Sequence, residues 1–286
     1  IWKAGPMSEV RVWVNGALVA ADQPAIAAID HGVTVGDGAF ETCKIVEGHA
    51  FAMSRHLARM DRTLAGLGLA AADHDRVREG AHAVLAAGDP ISFGRLRWTI
   101  TGGIGPLGSD RLDSALTYVV TAGAVAPPPP TVQVVTVPWV RNERAATAGL
   151  KTTSYAENVI ALARAKRHDA TEAIFGNTRG DLCEGTGSNI FVVRDGVVST
   201  PPVVDGPLAG ITRGLVLQWG REAGVDIREE TMQLSVLQDC DEIFLTSSLK
   251  DVRPVTRCDD RELSPGPVTR ILDQVWRTKE VEGIDP

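Results

Sequence analysis

Four consecutive prolines at positions 127–130 cut this chain in two. Proline fixes φ and lacks an amide hydrogen, so such a run joins neither a helix interior nor a central strand. From Thr121 the composition shifts to Ala-Gly-Ala-Val-Ala ahead of the prolines. This places a linker at residues 121–131, between a smaller domain at 1–120 and a larger one at 132–286. At 286 residues the chain is long for one core and suits two. A docking motif for a proline-recognising module is the other use of such a run, but a stiff inter-domain spacer is the simpler one.

Charge and cysteine content narrow the class of partner. The net charge of -7 and pI near 5.4 argue against nucleic acid, which calls for a basic face to displace counterions. Cys43, Cys183, Cys240 and Cys258 are widely spaced with no C-x-x-C, so they read as reduced thiols of a cytoplasmic protein. The six histidines show no metal-ligand clustering, and no metal is expected. No apolar run approaches the ~18 residues of a membrane-spanning helix, and the N-terminus lacks a signal-peptide core. Residues 1–6 read as additions ahead of a native start at Met7.

The first part alternates strand and helix signals. Residues 10–20 form a hairpin around Asn15-Gly16, a two-residue type I′ turn. A second hairpin pairs residues 40–46 with 50–53 across Glu47-Gly48-His49. Between them, residues 30–38 read as a loop whose glycines turn sharply or admit a close approach. Residues 54–67 form an amphipathic helix with Leu57, Met60, Leu64 and Leu67 on one face. A further helix covers 73–87 and a strand covers 94–101. In the second part, strands are expected at 132–137, 173–177, 189–194, 197–200 and 241–247. Helices are expected after Lys151 to about 168, from Gly210 to about 223, and at 267–279.

Chemistry concentrates around Gly149-Leu150-Lys151-Thr152-Thr153-Ser154-Tyr155. Ser154 and Glu157 have capping-box spacing, and Tyr155, Val159, Ile160, Leu162 and Ala163 supply an apolar helical face, which puts Lys151 at a helix entrance. Desolvation there lowers an ammonium pKa, and a neutral amine condenses with carbonyls or takes a proton. A lone lysine is more often a solvated charge on an apolar stem. The segment is not a P-loop, because no glycine precedes Lys151 directly or stands five residues before Gly149. Gly185-Thr186-Gly187 lacks the third glycine of a dinucleotide fingerprint. Gly210-Ile211-Thr212 ahead of a helix fits an anion cup, since free helix amides and a hydroxyl face one point.

In order along the chain, His56-Leu57-Ala58-Arg59, Ala148-Gly149-Leu150-Lys151, Cys183-Glu184-Gly185-Thr186-Gly187-Ser188-Asn189-Ile190-Phe191, Leu208-Ala209-Gly210-Ile211-Thr212-Arg213 and Thr246-Ser247-Ser248 resemble the motifs of one family. It is the class IV (fold type IV) pyridoxal-phosphate enzymes: branched-chain aminotransferases, D-amino-acid aminotransferases and 4-amino-4-deoxychorismate lyases. The resemblance implies an α+β, two-domain fold of the D-amino-acid aminotransferase type, with pyridoxal 5'-phosphate as cofactor. It implies that Lys151 binds the cofactor covalently and moves the substrate proton, and that Glu184 faces the pyridine nitrogen. Arg59, Ile211, Thr212 and Ser248 would hold the phosphate, with Leu208 against the ring. Tyr155 would lie near the phenolic oxygen, although its spacing differs by one from the branched-chain enzymes; otherwise it is a helix-face aromatic. Phe40 and the Leu249 amide occupy substrate-side positions. The family also implies a homodimer acting on a small-molecule amine, with active sites between the domains near the subunit boundary.

Substrate choice rests on two departures. The D-amino-acid enzymes trap a carboxylate with an R-x-H pair, and the corresponding stretch here, residues 101–108, contains neither residue. Arg141-Asn142 leading to Ala148-Gly149-Leu150-Lys151 resembles the approach seen in the lyases. The expected activity is therefore 4-amino-4-deoxychorismate lyase, giving 4-aminobenzoate and pyruvate. A D-amino-acid or branched-chain aminotransferase is the alternative, and a non-catalytic cofactor-binding protein a remoter one, against which Lys151 and Glu184 argue together.

Overall fold

A computed structural model describes residues 10–286, so the expected start at Met7 falls outside the described residues. The chain divides into two compact units. The first holds the residues up to Pro127 together with Leu150–Ser154 and Ile284–Pro286, and the second holds Pro128–Gly149 and Tyr155–Gly283. Lys151 thus belongs with the first unit, although the linear division at 132 assigns it to the second domain.

Unit 1 contains β1 (Arg11–Val14), β2 (Ala17–Val19), α1 (His31–Thr34), β3 (Gly38–Val46), β4 (His49–Ala50), α2 (Met53–Leu67), α3 (His74–Ala86), β5 (Phe93–Thr101) and β6 (Thr117–Ala124). Its strands form one antiparallel sheet in the order β2-β1-β6-β5-β3-β4. The β1–β2 turn has Asn15 at φ 48° and Gly16 at 106°, and the β3–β4 turn has Glu47 at 46° and Gly48 at 79°. Both are the left-handed pairs that match a hairpin's twist. The second turn is therefore two residues, not three, and Met53 opens α2 instead of ending a strand. Leu57, Met60 and Leu64 of α2 pack with Trp13, Ile45, Val77, Leu96, Trp98 and Ile100 in one buried cluster. Each such side chain contributes roughly 1.5–3 kcal/mol by leaving water.

Two other expectations change in this unit. Residues 30–38 are not wholly loop: Asp30 caps the short α1 by accepting from Gly32 N at 2.8 Å, and Gly38 begins β3. The linker begins later than residue 121, because Thr121 and Ala122 pair with β1 on one side and β5 on the other. Small residues read as a spacer by composition, yet they bond along both strand edges. At the other end of the sheet, α2 starts from Ala52 in a left-handed conformation without a side-chain cap of its own. Asp285 supplies one, accepting from Ser54 N at 2.9 Å and Ser54 Oγ at 2.5 Å.

Unit 2 contains β7 (Val132–Arg141), α4 (Ala156–Arg167), β8 (Glu172–Asn177), β9 (Leu182–Gly185), β10 (Asn189–Arg194), β11 (Val197–Thr200), α5 (Ile211–Glu222), β12 (Ile227–Glu229), β13 (Glu242–Ser247), β14 (Asp251–Cys258), β15 (Arg261–Glu262) and α6 (Pro267–Lys279). The sheet runs β12-β11-β10-β13-β14-β7-β8-β9, with β15 on β14. Its β7–β8, β7–β14 and β11–β12 pairs are parallel. Val134, Ile174, Ile190 and Leu245 centre one apolar cluster; Val135, Ala161, Ala165, Ala173 and Phe175 form another. Separate sheets with their own helices make this an α+β protein.

The entrance to α4 differs from the capping-box reading. Its N-cap is Tyr155, with no side-chain cap bond, while Ser154 Oγ donates to Gly36 O at 3.2 Å within unit 1. The face expected to be buried is largely exposed at Val159 and Ile160, and Asn158, Ala161 and Ala165 are buried instead. Among the described residues, no helix is long and apolar enough to cross a membrane. Cys43, Cys183, Cys240 and Cys258 are free and buried, and burial pushes each thiol up from its ordinary value.

Candidate active site

In unit 1, the segment bearing Lys151 lies along the start of β3. Phe40 N donates to Lys151 O at 3.1 Å and Thr153 N to Gly38 O at 2.8 Å, with Ala39 and Thr152 bridged. From the other side, Lys151 N donates to Thr63 Oγ1 of α2 at 3.3 Å. The lysine is half-buried, its ammonium 4.3 Å from the Phe40 ring centroid. The Arg97 guanidinium from β5 lies 3.8 Å from the same centroid. Cations are drawn to the negative face of an aromatic ring. Phe40 thus gathers two positive groups, one of them the amine expected to do the chemistry.

Arg59 and His56 project from α2 onto Glu41 of β3. Glu41 accepts from Arg59 Nε at 2.7 Å, from Arg59 Nη2 at 2.6 Å and from His56 Nδ1 at 2.7 Å. Burial alone would raise the Glu41 pKa, but the Arg59 guanidinium and then His56 hold it down to about 2. Burial lowers His56 from its ordinary value, against the pull of Glu41. Glu41 escaped the sequence reading. The available signal was a carboxylate between Ala39-Phe40 and Cys43 in a strand whose other polar residues are Thr42 and Lys44.

Unit 2 brings the remaining motifs together. Glu184 lies half-buried on β9, and its Oε2 accepts from Leu208 N at 3.0 Å. Its Oε1 lies 3.5 Å from Arg141 Nε. Arg141 rests on the Phe175 ring at 4.1 Å and donates to Asn158 Oδ1 at 2.6 Å, while Asn158 Nδ2 donates to Thr186 O at 2.6 Å. Arg141 and Asn158 therefore brace the turn that follows Glu184 and β9. Asn189 Nδ2 donates to Leu208 O at 2.8 Å, and a Cβ on Gly210 would lie 1.9 Å from Asn189 Oδ1, so any other residue there would displace the Asn189 side chain. Gly210 is the N-cap of α5 and gives the helix no side-chain cap, with Ile211 and Thr212 forming the first turn.

Thr246 faces Asn189 across the β10–β13 ladder, so both side chains share the sheet face that meets Leu208 and Gly210. Its hydroxyl is buried without a hydrogen-bond partner among the described residues. A fully desolvated hydroxyl beside uncapped helix amides is the donor set a phosphate takes up. Ser248 and Leu249 occupy the turn after β13. Lys250, next in the turn, donates to the buried carboxylate of Glu172, which also accepts from Thr186 Oγ1, Gly187 N and Ser188 Oγ. That network fixes the Gly185–Asn189 turn from behind. Arg213 donates to Pro201 O and to Glu229, so the arginine of the helix motif is an anchor for α5. Tyr155 lies half-buried at the start of α4.

The sequence model of the amino-transferase class IV family matches residues 38–258, which span Phe40, Lys151, Glu184 and Ser248. The chain is a class IV aminotransferase family member. It is 29% identical to the D-alanine aminotransferase of Bacillus licheniformis over 273 residues, covering 91% of this chain and 94% of that one. A hypothetical aminotransferase of Mycobacterium tuberculosis in its PLP-bound form superposes with a TM-score of 0.82 at 26% identity, covering 94% and 98%. A Legionella pneumophila structure named for 4-amino-4-deoxychorismate lyase superposes with a TM-score of 0.83 at 22% identity, covering 90% and 96%, and shares the fold. Branched-chain and D-alanine aminotransferases recur among the relatives by sequence. The fold is thus fold type IV, and this class IV enzyme uses pyridoxal phosphate. The orphaned Thr246 hydroxyl and the uncapped α5 terminus fit that cofactor's phosphate.

Proposed function

We propose that this class IV enzyme is a 4-amino-4-deoxychorismate lyase, releasing 4-aminobenzoate and pyruvate in the cytoplasm as a homodimer. The observation that carries the reading is the segment after β5. Gly103 turns at φ 77°, Ile104 bridges to Asp30, and His31 Nε2 pairs with Pro106 O, so residues 102–108 form a turn of backbone and apolar groups that carries neither the arginine nor the histidine of a carboxylate trap. The Arg141-Asn142 approach to Lys151 supports the same reading.

Pyridoxal phosphate, when bound, supplies an electron sink for the pair of electrons left when a substrate proton departs. Lys151 would hold the cofactor, and its Nζ would be the group that accepts that proton. Glu184, held by the Leu208 amide and backed by Arg141, would favour a protonated ring nitrogen. Arg59, Ile211, Thr212 and Ser248 would hold the phosphate, and Leu208 and Tyr155 would border the ring. Phe40 and Leu249 shape the substrate side, and Arg97 adds positive charge for an anionic substrate beside Phe40. The two products account for every atom of the substrate, so no keto acid is consumed.

The aminotransferase reading is favoured by the names of the relatives. The test is product analysis of the pure enzyme with aminodeoxychorismate generated in place. The lyase reading expects 4-aminobenzoate and pyruvate, with kcat/KM above that for D-alanine or leucine with 2-oxoglutarate. A higher value for either amino acid would leave the cofactor site standing and replace the lyase with a transaminase.

A further inference from the structure

Glu41 is fully buried on β3, and its carboxylate is devoted to two residues of α2. Oε1 accepts from Arg59 Nε and Oε2 from Arg59 Nη2, at 2.7 and 2.6 Å. Oε2 also accepts from His56 Nδ1 at 2.7 Å. A carboxylate only accepts, so Nδ1 carries the imidazole hydrogen, and the ring in turn packs edge-on to Trp98. His56 and Arg59 are three residues apart on one helix face, so both reach the same strand position. A guanidinium is a planar fork, and gripping its Nε/Nη2 edge fixes the direction in which the Nη1 end points. Burying these ions is costly, and apolar side chains of equal volume would serve packing as well. The arrangement is that of a device for direction.

We propose that Glu41, steadied by His56, is the positioning residue that aims Arg59 at the cofactor phosphate. This rests on the assignment of Arg59 to that phosphate. Glu41 acts only through Arg59, so its loss weakens the hold on the phosphate and leaves the hold on the ring unchanged. Glutamine at this position turns one acceptor into an NH2 group facing a guanidinium donor, which releases the fork.

The full chain, stripped of cofactor, is titrated with pyridoxal phosphate and with pyridoxal, which lacks the phosphate. The wild type is compared with Glu41→Gln, His56→Gln and Arg59→Ala. The ratio of the pyridoxal Kd to the pyridoxal phosphate Kd falls about tenfold or more in Glu41→Gln and less in His56→Gln, while the pyridoxal Kd holds constant. Parallel weakening of both ligands shows a merely structural residue and overturns the proposal. So does a wild-type ratio in Glu41→Gln when Arg59→Ala has lost its preference. If Arg59→Ala keeps the wild-type ratio, the phosphate assignment fails and the proposal fails with it. Should Glu41→Gln not fold, His56→Gln carries the comparison, and an unchanged ratio there overturns the proposal. No amine substrate enters these titrations, so they stand or fall apart from the lyase reading.

Discussion

The carboxylate of Glu184 accepts the backbone N–H of Leu208 at 3.0 Å, joining two segments 24 residues apart. One comes from β9 and the other from the approach to α5, so the acid proposed for the ring nitrogen and the leucine proposed for the ring surface are set by one bond. Arg141 stands 3.5 Å from the other carboxylate oxygen. The guanidinium and the Leu208 amide are thus two of the carboxylate's partners within unit 2.

Replacing Glu184 with Gln should therefore leave the cofactor bound and slow proton abstraction by about a hundredfold, the scale on which a preorganised electrostatic partner acts. Stopped-flow measurement of the proton-removal step, beside cofactor Kd, checks this. Unchanged turnover would remove the electron-sink role from Glu184.

Lys151 should be the one site of covalent cofactor attachment. Borohydride treatment of the purified enzyme should abolish its visible absorption band, and peptide mapping should find the reduced adduct on this lysine. An adduct elsewhere would move the catalytic centre.

Gly210→Ala should destabilise unit 2, because the added carbon would lie 1.9 Å from Asn189 Oδ1. Asn189 must move, and with it the bond to Leu208 O. Overpacking of this kind costs about 1–3 kcal/mol. Urea unfolding of the variant should show that loss, together with weaker cofactor retention; wild-type values for both would mean the backbone shifts freely there.

Glu41 sets a pH dependence. Its folded pKa is about 2 against an ordinary 4.5, because Arg59 and His56 outweigh the burial that would raise it. A depressed acid contributes stability that is present above pH 4.5 and is lost as pH falls towards 2. The urea midpoint of the wild type should exceed that of Glu41→Gln near neutrality, and the gap should close across that window. A gap independent of pH would separate the ion pair from acid unfolding.

Legibility followed local chemistry. Asn15-Gly16, the period of Leu57, Met60 and Leu64, and the proline opening α6 at Pro267 are signals carried within a few residues, and those elements stand where the sequence put them. The strand β14 was hidden because Arg253, Pro254 and Arg257 interrupt its buried Val252, Val255 and Cys258. Leu150–Ser154 could not be assigned to unit 1 from sequence, since its partners Gly36, Gly38, Phe40 and Thr63 are 88 or more residues away. The motif residues were legible through resemblance. The partners of Glu41, Arg141, Asn158 and Glu172, which hold those residues in place, are set by tertiary pairing, so the sequence could not name them.

The cap that Asp285 places on α2 spans 231 residues of chain. Ribosomes add about 5–20 residues per second, so the helix bearing His56 and Arg59 emerges on the order of ten seconds or more before its cap exists. The Lys151 segment also arrives after the sheet it lies along. The pieces of unit 1 are consequently separated in time as well as in sequence, and its arginine-bearing helix has its first turn closed only after unit 2, up to Gly283, has been made.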